Sequence, residues 1–132
     1  MLAGINHLTL AVNDLSISFD FYVNLLGFTP RARWPTGAYL SLGEFWLCLS
    51  VDDVGSKEDY THCAFTIPEN GITTFRERLK KLGVVEWRNN KSEGESMYFL
   101  DPDDHKLEVH CGSLETRLNS CREQPYDGMI IF

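Results

Sequence analysis

The chain has 132 residues, of which 43% are hydrophobic and 23% are charged. This composition is typical of an ordinary globular protein and excludes a disordered or collagen-like chain. Twelve Lys and Arg against nineteen Asp and Glu give a net charge of −7, which argues against binding to nucleic acids or anionic membranes. The length predicts one domain spanning residues 1–132.

The N-terminal composition and the cysteine spacing bear on the compartment and the redox state of the protein. No basic region precedes an apolar stretch at the N-terminus, and no run approaches about eighteen apolar residues, so we expect a cytoplasmic protein. Four cysteines occur without a C-x-x-C pair, which fits neither a zinc site nor a redox motif and predicts reduced thiols. They are Cys48, Cys63, Cys111 and Cys121.

Two amphipathic helices are predicted among β-type segments. After a strand over 4–12, Asp14 caps a helix with 4-3-4 apolar spacing that Gly27 ends. A second helix with 3-4-3 spacing follows Pro68 and ends at Gly83, and a third follows Ser113. The remaining predicted strands are 38–42, 45–50, 60–67, 95–100 and 106–111, with weaker ones at 29–34 and 84–89; residues 51–59 have a linker-like composition.

The predicted elements form an internal repeat with an offset of about 55–60 residues. Asn6–Leu10 aligns with Thr61–Phe65, Leu26–Phe28 with Leu82–Val84, and Trp46–Ser50 with Lys106–His110. The offset widens because the second half carries the turn 101–104. The sequence therefore predicts an α+β protein with two βαβββ modules, 1–52 and 59–112, followed by a tail at 113–132.

Strand alternation separates an apolar face, which can pack on the helices, from a polar and aromatic one. An exposed sheet face would ordinarily carry Lys, Glu and Thr, so the residues of the second face instead suggest a cavity. The repeat makes His7 and His62 equivalent, and a pseudo-twofold axis would bring them together with Glu108. His₂Glu with open positions is a catalytic metal site, although a lone strand histidine is more often structural. The polar face comprises His7, Thr9, Trp46, Cys48, Tyr60, His62, Ser96, Tyr98 and Glu108.

Seven motifs resemble those of the FosA-type fosfomycin resistance proteins, which are glutathione transferases of the vicinal oxygen chelate superfamily. The resemblance covers essentially the whole chain, to the tail 121–126. The motifs are Asn6–Val12, Gly37–Leu40, Trp46–Ser50, Asp59–His62, Asn90–Gly94, Tyr98–Pro102 and His105–Glu108.

The resemblance implies a homodimer with exchanged modules and a shared metal site. In that arrangement His7 of one chain joins His62 and Glu108 of the other. Mn²⁺ is the metal typical of the family, and the same ligands would also accept Zn²⁺ or Ni²⁺. The implied reaction is the opening of the fosfomycin epoxide by glutathione thiolate, with the metal as Lewis acid and the hydroxyl of Thr9 donating a hydrogen bond to the epoxide oxygen.

The resemblance also assigns three groups of binding residues. Tyr39 is the candidate that helps the glutathione thiol to ionise, which such a thiol needs at neutral pH. The implied phosphonate-site residues are Arg88, Ser92, Ser96, Tyr98 and Arg117, with Trp46 and Tyr60 completing the substrate site. The implied potassium loop contains Asn90, Ser92, Glu93, Gly94 and Ser96, and the glutathione channel contains Trp34, Tyr39, Ser50 and Lys91.

The chain departs from the family pattern at several positions. Arg88 replaces a lysine, and an arginine fork binds a phosphonate differently from an ammonium group. Asp104 replaces a glycine in a turn where a positive φ is expected. Thr36 replaces a frequent glutamine near glutathione, and the 51–59 linker is short.

Two alternatives stay open at this level. One is another metal-dependent enzyme of this fold, an epoxide hydrolase or an isomerase; hydrolysis is disfavoured because no Asp or Glu lies between Asp20 and Glu44. The other is a drug-sequestering protein without catalysis, which the presence of all three predicted metal ligands disfavours.

Overall fold

Two copies of one strand–helix–strand–strand–strand module account for most of the chain in the computed structural model, which describes residues 1–132. None of its helices is long and apolar enough to cross a membrane. In chain order the elements are β1 (His7–Val12), α1 (Leu15–Asp20), a π-helical turn (Phe21–Leu25), β2 (Thr29–Trp34), β3 (Gly37–Leu42), β4 (Phe45–Val51), β5 (Cys63–Thr66), α2 (Glu69–Lys81), β6 (Glu86–Arg88), β7 (Ser96–Leu100), β8 (Lys106–His110) and α3 (Leu114–Glu123).

The chain divides into two units. Unit 1 contains residues 1–58 and 101–105, and unit 2 contains residues 59–100 and 106–132. The strand order is β1-β4-β3-β2 in unit 1 and β5-β8-β7-β6 in unit 2. The strand β1 runs parallel to β4, and β5 runs parallel to β8. The other strand pairs are antiparallel. The predicted α+β fold with a βαβββ repeat is therefore confirmed.

The helix of unit 1 begins where the sequence predicts. The side chain of Asp14 accepts a hydrogen bond from the Ile17 amide at 3.0 Å, which satisfies a free amide at the helix start. Beyond Asp20 the chain continues as a π-helical turn, and Gly27 then reverses it at φ +85. The core of this unit lies between the helical segment and the sheet and is formed by Val12, Leu15, Tyr22, Phe28, Leu40, Leu47 and Leu49.

The turn 101–105 adds polar contacts to unit 1. The Tyr22 hydroxyl donates to Asp101 Oδ2 at 2.7 Å, and the amides of Asp103 and His105 donate to Asp101 Oδ1. Burial raises the pKa of the Asp101 carboxyl, and the hydrogen bond from Tyr22 partly opposes this rise. Asp104 has φ +64, so the positive φ expected at this position is confirmed.

Unit 2 repeats the arrangement around a second core. The helix α2 ends before Gly83, which has φ +72, and the helix α3 begins with a capping box between Ser113 and Thr116. The core side chains are Ile72, Leu79, Met97, Phe99, Leu107 and Val109.

Three predicted strands are at least three residues shorter in the structure, one of them the strand predicted over 84–89, which spans only Glu86–Arg88. The strand predicted over 4–12 begins at His7, and the one predicted over 60–67 spans only Cys63–Thr66. In the strand predicted over 60–67 the Asp59 side chain accepts a hydrogen bond from the Thr61 amide at 2.8 Å, which forms a local turn and takes this backbone out of the ladder. Tyr60 and His62 therefore lie in the segment that leads into β5 rather than within the strand.

Candidate functional site

A polar cavity of about 380 Å³ opens in unit 2 over one face of its sheet. This is a volume suited to a small ligand. The residues that line it are Tyr60, His62, Arg88, Lys91, Ser92, Tyr98, Glu108, Arg117 and Tyr126. The cavity therefore brings together seven residues that the sequence assigned to metal or substrate, with Lys91 from the predicted glutathione set and Tyr126 in addition.

His62 and Glu108 form a pair inside this cavity. The His62 Nδ1 atom lies 2.8 Å from the Tyr60 carbonyl oxygen, and a carbonyl only accepts, so Nδ1 carries a proton. The Nε2 atom of the same ring lies 3.0 Å from Glu108 Oε2. In a neutral imidazole this Nε2 is a lone-pair donor, and it then faces a carboxylate oxygen.

This donor set fits a divalent cation. Two lone-pair groups at 3.0 Å repel each other unless a proton or a metal ion lies between them. A metal-binding histidine usually donates its other ring N–H to a carbonyl or carboxylate, as His62 does here. Glu108 is 7% exposed, so a cation at this pair would be largely shielded from water. The structure holds no group of three or more His, Cys, Asp or Glu side chains that could bind a metal ion.

Arg88 lies against an aromatic group beside the pair. Its guanidinium carbon lies 4.4 Å from the centre of the Tyr60 ring, a cation–π contact. Tyr60 in turn contacts the His62 ring, with centroids 4.8 Å apart, and Trp87 lies 5.2 Å from Tyr98. Aromatic rings thus fix the orientation of both the metal-type histidine and the cationic side chain.

Tyr98 presents a hydroxyl at the same cavity. Burial raises its pKa, and the negative charge of Glu108 raises it further. The side chain is 4% exposed. Tyr98 is therefore a hydrogen-bond donor that keeps its proton into alkaline solution.

A second arginine enters the cavity from α3. Arg117 donates to the Glu93 carbonyl at 3.0 Å and pairs with the Glu93 carboxylate at 3.3 Å. Burial would lower the pKa of Arg117, but the hydrogen bond with Tyr126 and the charge of Glu93 outweigh it and raise the pKa. Arg117 is therefore a permanent cation at the cavity.

The loop 90–96 is closed by its own side chains. Asn90 Nδ2 donates to the carbonyl oxygens of Ser92 and Gly94, the latter at 2.7 Å, and Asn90 Oδ1 accepts from the Ser92 amide. Gly94 has φ +75, and a Cβ there would lie 2.3 Å from the Cys111 carbonyl oxygen, so only glycine fits. The predicted potassium-loop residues are thus adjacent, with the Ser92 and Gly94 carbonyls turned toward Asn90.

The remaining predicted residues lie in unit 1 and form their own cluster. The His7 Nδ1 atom lies 2.7 Å from Asn6 Oδ1, and the His7 ring contacts Trp46 at 4.6 Å. Tyr39 contacts both Trp46 and Trp34, with ring centres 5.2 and 4.8 Å away.

Thr9 lies opposite Cys48 in the same sheet, and Ser50 lies opposite Gly37. The Nε1 atom of Trp46 is buried without a hydrogen-bond partner. His7 resembles His62 in that its Nδ1 atom lies within hydrogen-bond distance of an oxygen.

Sequence reasoning missed two residues. Tyr126 lines the cavity from the chain after α3, and its only signal was its place in the tail of the family motif. His110 contacts Ser96 at 2.7 Å, and its signal was its position two residues after Glu108 on the same strand face.

The fold and the site define a class: a protein of paired βαβββ modules with a histidine–carboxylate pair in a cationic cavity. The sequence profile of the Glyoxalase/Bleomycin resistance protein/Dioxygenase superfamily matches residues 4–109. The chain belongs to this superfamily.

Within this superfamily the chain is similar to individual proteins of known activity. The chain is 54% identical to the glutathione transferase FosA of Serratia marcescens, over 98% of this chain and 96% of the relative. It is 38% identical to the metallothiol transferase FosB of Staphylococcus haemolyticus, over 93% and 94%.

Solved structures agree with this placement. The fosfomycin resistance protein FosX of Listeria monocytogenes superposes with a TM-score of 0.83 at 31% identity, covering 91% of this chain and 99% of that one. A mutant of the same FosX, in complex with Mn(II) and 1S,2S-dihydroxypropylphosphonic acid, superposes with a TM-score of 0.82 at 30% identity, over 89% and 99%. The predicted resemblance to the fosfomycin resistance proteins is confirmed.

Proposed function

We propose that this protein is a metal-dependent glutathione transferase that opens the epoxide of fosfomycin and so inactivates the antibiotic. The observation that carries the proposal is the pairing of His62 Nε2 with Glu108 Oε2 at 3.0 Å in a cavity that also holds Arg88 and Arg117. A metal-type pair beside two cations suits a small substrate that carries both an epoxide and a phosphonate. The identity to the Serratia FosA protein supports the same reaction.

The metal ligands in this proposal are His62 and Glu108 of one protomer and His7 of a second protomer. In each histidine Nδ1 lies within hydrogen-bond distance of an oxygen, and Nε2 is the atom that binds the metal in this proposal. The Mn(II) bound in the FosX complex supports Mn²⁺. A divalent ion at these ligands supplies Lewis-acid polarisation of the epoxide oxygen.

The chain's own residues position the substrate. Arg88 and Arg117 balance the charge of the phosphonate, and Ser92 and Tyr98 donate hydrogen bonds to its oxygens. Trp46 packs beside the epoxide. As the glutathione sulfur attacks an epoxide carbon, the C–O bond breaks, and the Thr9 hydroxyl donates a hydrogen bond to the oxygen that gains charge.

Glutathione is placed by a second set of residues in this proposal. Trp34, Ser50 and Lys91 line its channel, and Tyr39 lies near the thiol and favours the thiolate. The contacts of Tyr39 with Trp34 and Trp46 support this role, because they hold the phenol between the proposed glutathione and epoxide positions. A Tyr39→Phe variant whose thiol-dependent rate is unchanged across pH would remove Tyr39 from the mechanism.

Potassium is proposed to bind at Asn90, Ser92, Glu93, Gly94 and Ser96. Oxygen atoms of the loop suit a hard monovalent cation, and this requires the Asn90 amide to release the carbonyls that it now contacts. The test replaces K⁺ by Na⁺ at constant ionic strength. We expect K⁺ to lower the KM for fosfomycin in the parent protein and to have little effect in Glu93→Gln.

We further propose a cytoplasmic homodimer whose modules exchange so that each site draws on both chains, each chain being one domain. Four free cysteines support a reducing compartment, where glutathione is available. Sedimentation of the Mn²⁺-loaded protein tests the dimer. A monomer that retains full activity would refute it.

The direct test of function is fosfomycin consumption with Mn²⁺ and K⁺ present, compared between glutathione, L-cysteine and no thiol. We expect a glutathione adduct, and we expect His62→Ala to abolish it. His105→Gln is the matched control, since the His105 ring bonds only the Ala11 carbonyl in unit 1. Consumption without thiol, giving a diol, would instead indicate a hydrolase, and protection in proportion to protein without turnover would indicate sequestration.

A further inference from the structure

A chain of hydrogen bonds leads away from the proposed metal ligand Glu108 into the interior of unit 2. The Ser96 hydroxyl donates to Glu108 Oε1 at 2.6 Å. The Ser96 hydroxyl oxygen also lies 2.7 Å from His110 Nδ1. His110 Nδ1 itself is 3.7 Å from Glu108 Oε1, which is too long for a hydrogen bond, so the hydrogen-bonded connection between the two runs through Ser96.

The chemistry of the three groups fixes the direction of this chain. A ligating carboxylate carries no proton and only accepts, so the single proton of the Ser96 hydroxyl points to Glu108. The Ser96 oxygen must then accept from His110, and His110 therefore carries its proton on Nδ1. One carboxylate oxygen is thus held by Ser96, and the other, Oε2, is left facing His62.

The backbone holds the His110 ring in place for this role. A Cβ at Gly94 would lie 2.8 Å from the ring carbon Cε1, and a Cβ at Gly112 would lie 2.9 Å from Nε2. Both glycines have positive φ, +75 and +144. Two backbone segments therefore contact the ring where no other residue type fits, and the ring has little freedom to turn.

We propose that His110 is a positioning residue that acts through Ser96 to orient the carboxylate of Glu108 for metal binding. This inference rests on the proposed metal site. Hydrogen-bonded partners of ligands set ligand orientation, and their loss typically weakens metal binding about 10–100-fold. The same geometry leaves Ser96 without a proton for the substrate, so Ser96 cannot also donate a hydrogen bond to the phosphonate.

The test measures the Mn²⁺ dissociation constant, from the electron paramagnetic resonance signal of free Mn²⁺, for the parent protein and four variants. The variants are Ser96→Ala, His110→Ala, the double variant and His110→Asn. The asparagine amide can donate from nearly the position of Nδ1. Thermal unfolding of the metal-free proteins identifies any variant that fails to fold. If His110→Ala fails to fold, His110→Asn keeps the test valid.

Non-additivity is the readout that a merely structural histidine would not produce. We expect each single alanine variant to weaken Mn²⁺ binding about 10–100-fold, the double variant to be no weaker than Ser96→Ala, and His110→Asn to recover most of the loss. Additive losses, or a Mn²⁺ affinity that does not change while stability falls, would overturn the proposal.

A second readout uses the metal-free protein. In a two-bond ¹H–¹⁵N correlation spectrum, His110 should show a protonated Nδ1, and a ring protonated only on Nε2 would overturn the proposal. The fosfomycin assay separates this inference from the proposed function. A parent protein that binds Mn²⁺ through His62 and shows the non-additive pattern, yet consumes no fosfomycin, would refute the function while supporting the role of His110.

Discussion

The contact between Arg88 and Tyr60 gives a quantitative prediction for substrate binding. The guanidinium lies 4.4 Å from the ring centre, and both side chains line the cavity. A cation–π contact at an accessible site is worth about 0.5–1 kcal/mol, because the negative face of the ring attracts the cation. Removing the ring with Tyr60→Leu should therefore raise the KM for fosfomycin about two- to fivefold through this contact.

The contribution of this contact is isolated by a double-mutant cycle, because Tyr60 also contacts His62. Arg88→Gln removes the cation, so in that background Tyr60→Leu removes the ring contact with His62 but no cation–π contact. The effect of Tyr60→Leu on KM, compared between the parent and the Arg88→Gln background, should give a coupling free energy of about 0.5–1 kcal/mol. We expect no such coupling in kcat. Tyr60→Phe keeps the ring and is the matched control.

The assay is initial-rate kinetics of glutathione-adduct formation at saturating Mn²⁺ and glutathione. Additive effects of Tyr60→Leu and Arg88→Gln would refute the view that the ring holds the arginine for the substrate. The same conclusion would follow if Tyr60→Phe raised the KM as much as Tyr60→Leu. Arg122, an exposed arginine of α3 paired with Glu115, offers a control: Arg122→Gln should leave the KM unchanged.

Three further predictions concern ionisation and stability. Burial and then the Glu108 charge raise the pKa of Tyr98 above the ordinary 10.0, so the difference between parent and Tyr98→Phe in an alkaline absorbance titration should be a tyrosine that ionises above pH 10.0; ionisation at or below this value would contradict the assignment. Asp104 has φ +64, so Asp104→Gly should raise the free energy of unfolding by about 0.5–1 kcal/mol and Asp104→Ala should not, as denaturant unfolding would show; equal effects would exclude backbone strain as the cause. Tyr22→Phe should cost about 1–3 kcal/mol at neutral pH, because it removes the donor at 2.7 Å from Asp101. That donor lowers the pKa of Asp101 against burial, which raises it, so its stabilisation is present while the carboxyl is charged and shrinks as the pH falls through the Asp101 pKa; a loss independent of pH between 7 and 3 would contradict the assignment.

Strand periodicity was sufficient to predict the fold and several of the residues that line the cavity. The alternation in 106–111 places Glu108 and His110 on one face, and the repeat makes His62 the equivalent of His7. These are local properties of a strand, where side chains alternate whatever lies around them. The caps at Asp14 and Ser113 are local in the same sense.

The contacts that give the site its chemistry could not be predicted in this way. The stacking of Arg88 on Tyr60 joins two segments that are 28 positions apart in the sequence, and the contact of Arg117 with Glu93 joins a helix to an irregular loop. Such contacts depend on how the loops pack against the folded sheet, and a periodic sequence pattern does not predict loop packing. The Asp59 turn has the same origin, since it takes His62 out of the strand through a single side-chain hydrogen bond.

The two modules share a topology but offer different ligands, and the register shows why. In unit 2, Glu108 pairs with Ala64 across β5 and β8, whereas in unit 1 the corresponding pair is Cys48 with Thr9 across β1 and β4. Unit 1 therefore has a histidine with a free nitrogen but no carboxylate at the equivalent position, and unit 2 has both. Under the proposed function, this symmetric fold with an asymmetric ligand set provides three metal ligands per chain, enough for one His₂Glu site and not for two. This asymmetry leaves the face of unit 1 around Thr9 and Tyr39 available for roles other than metal binding, as the proposed transfer of a thiol to an epoxide requires.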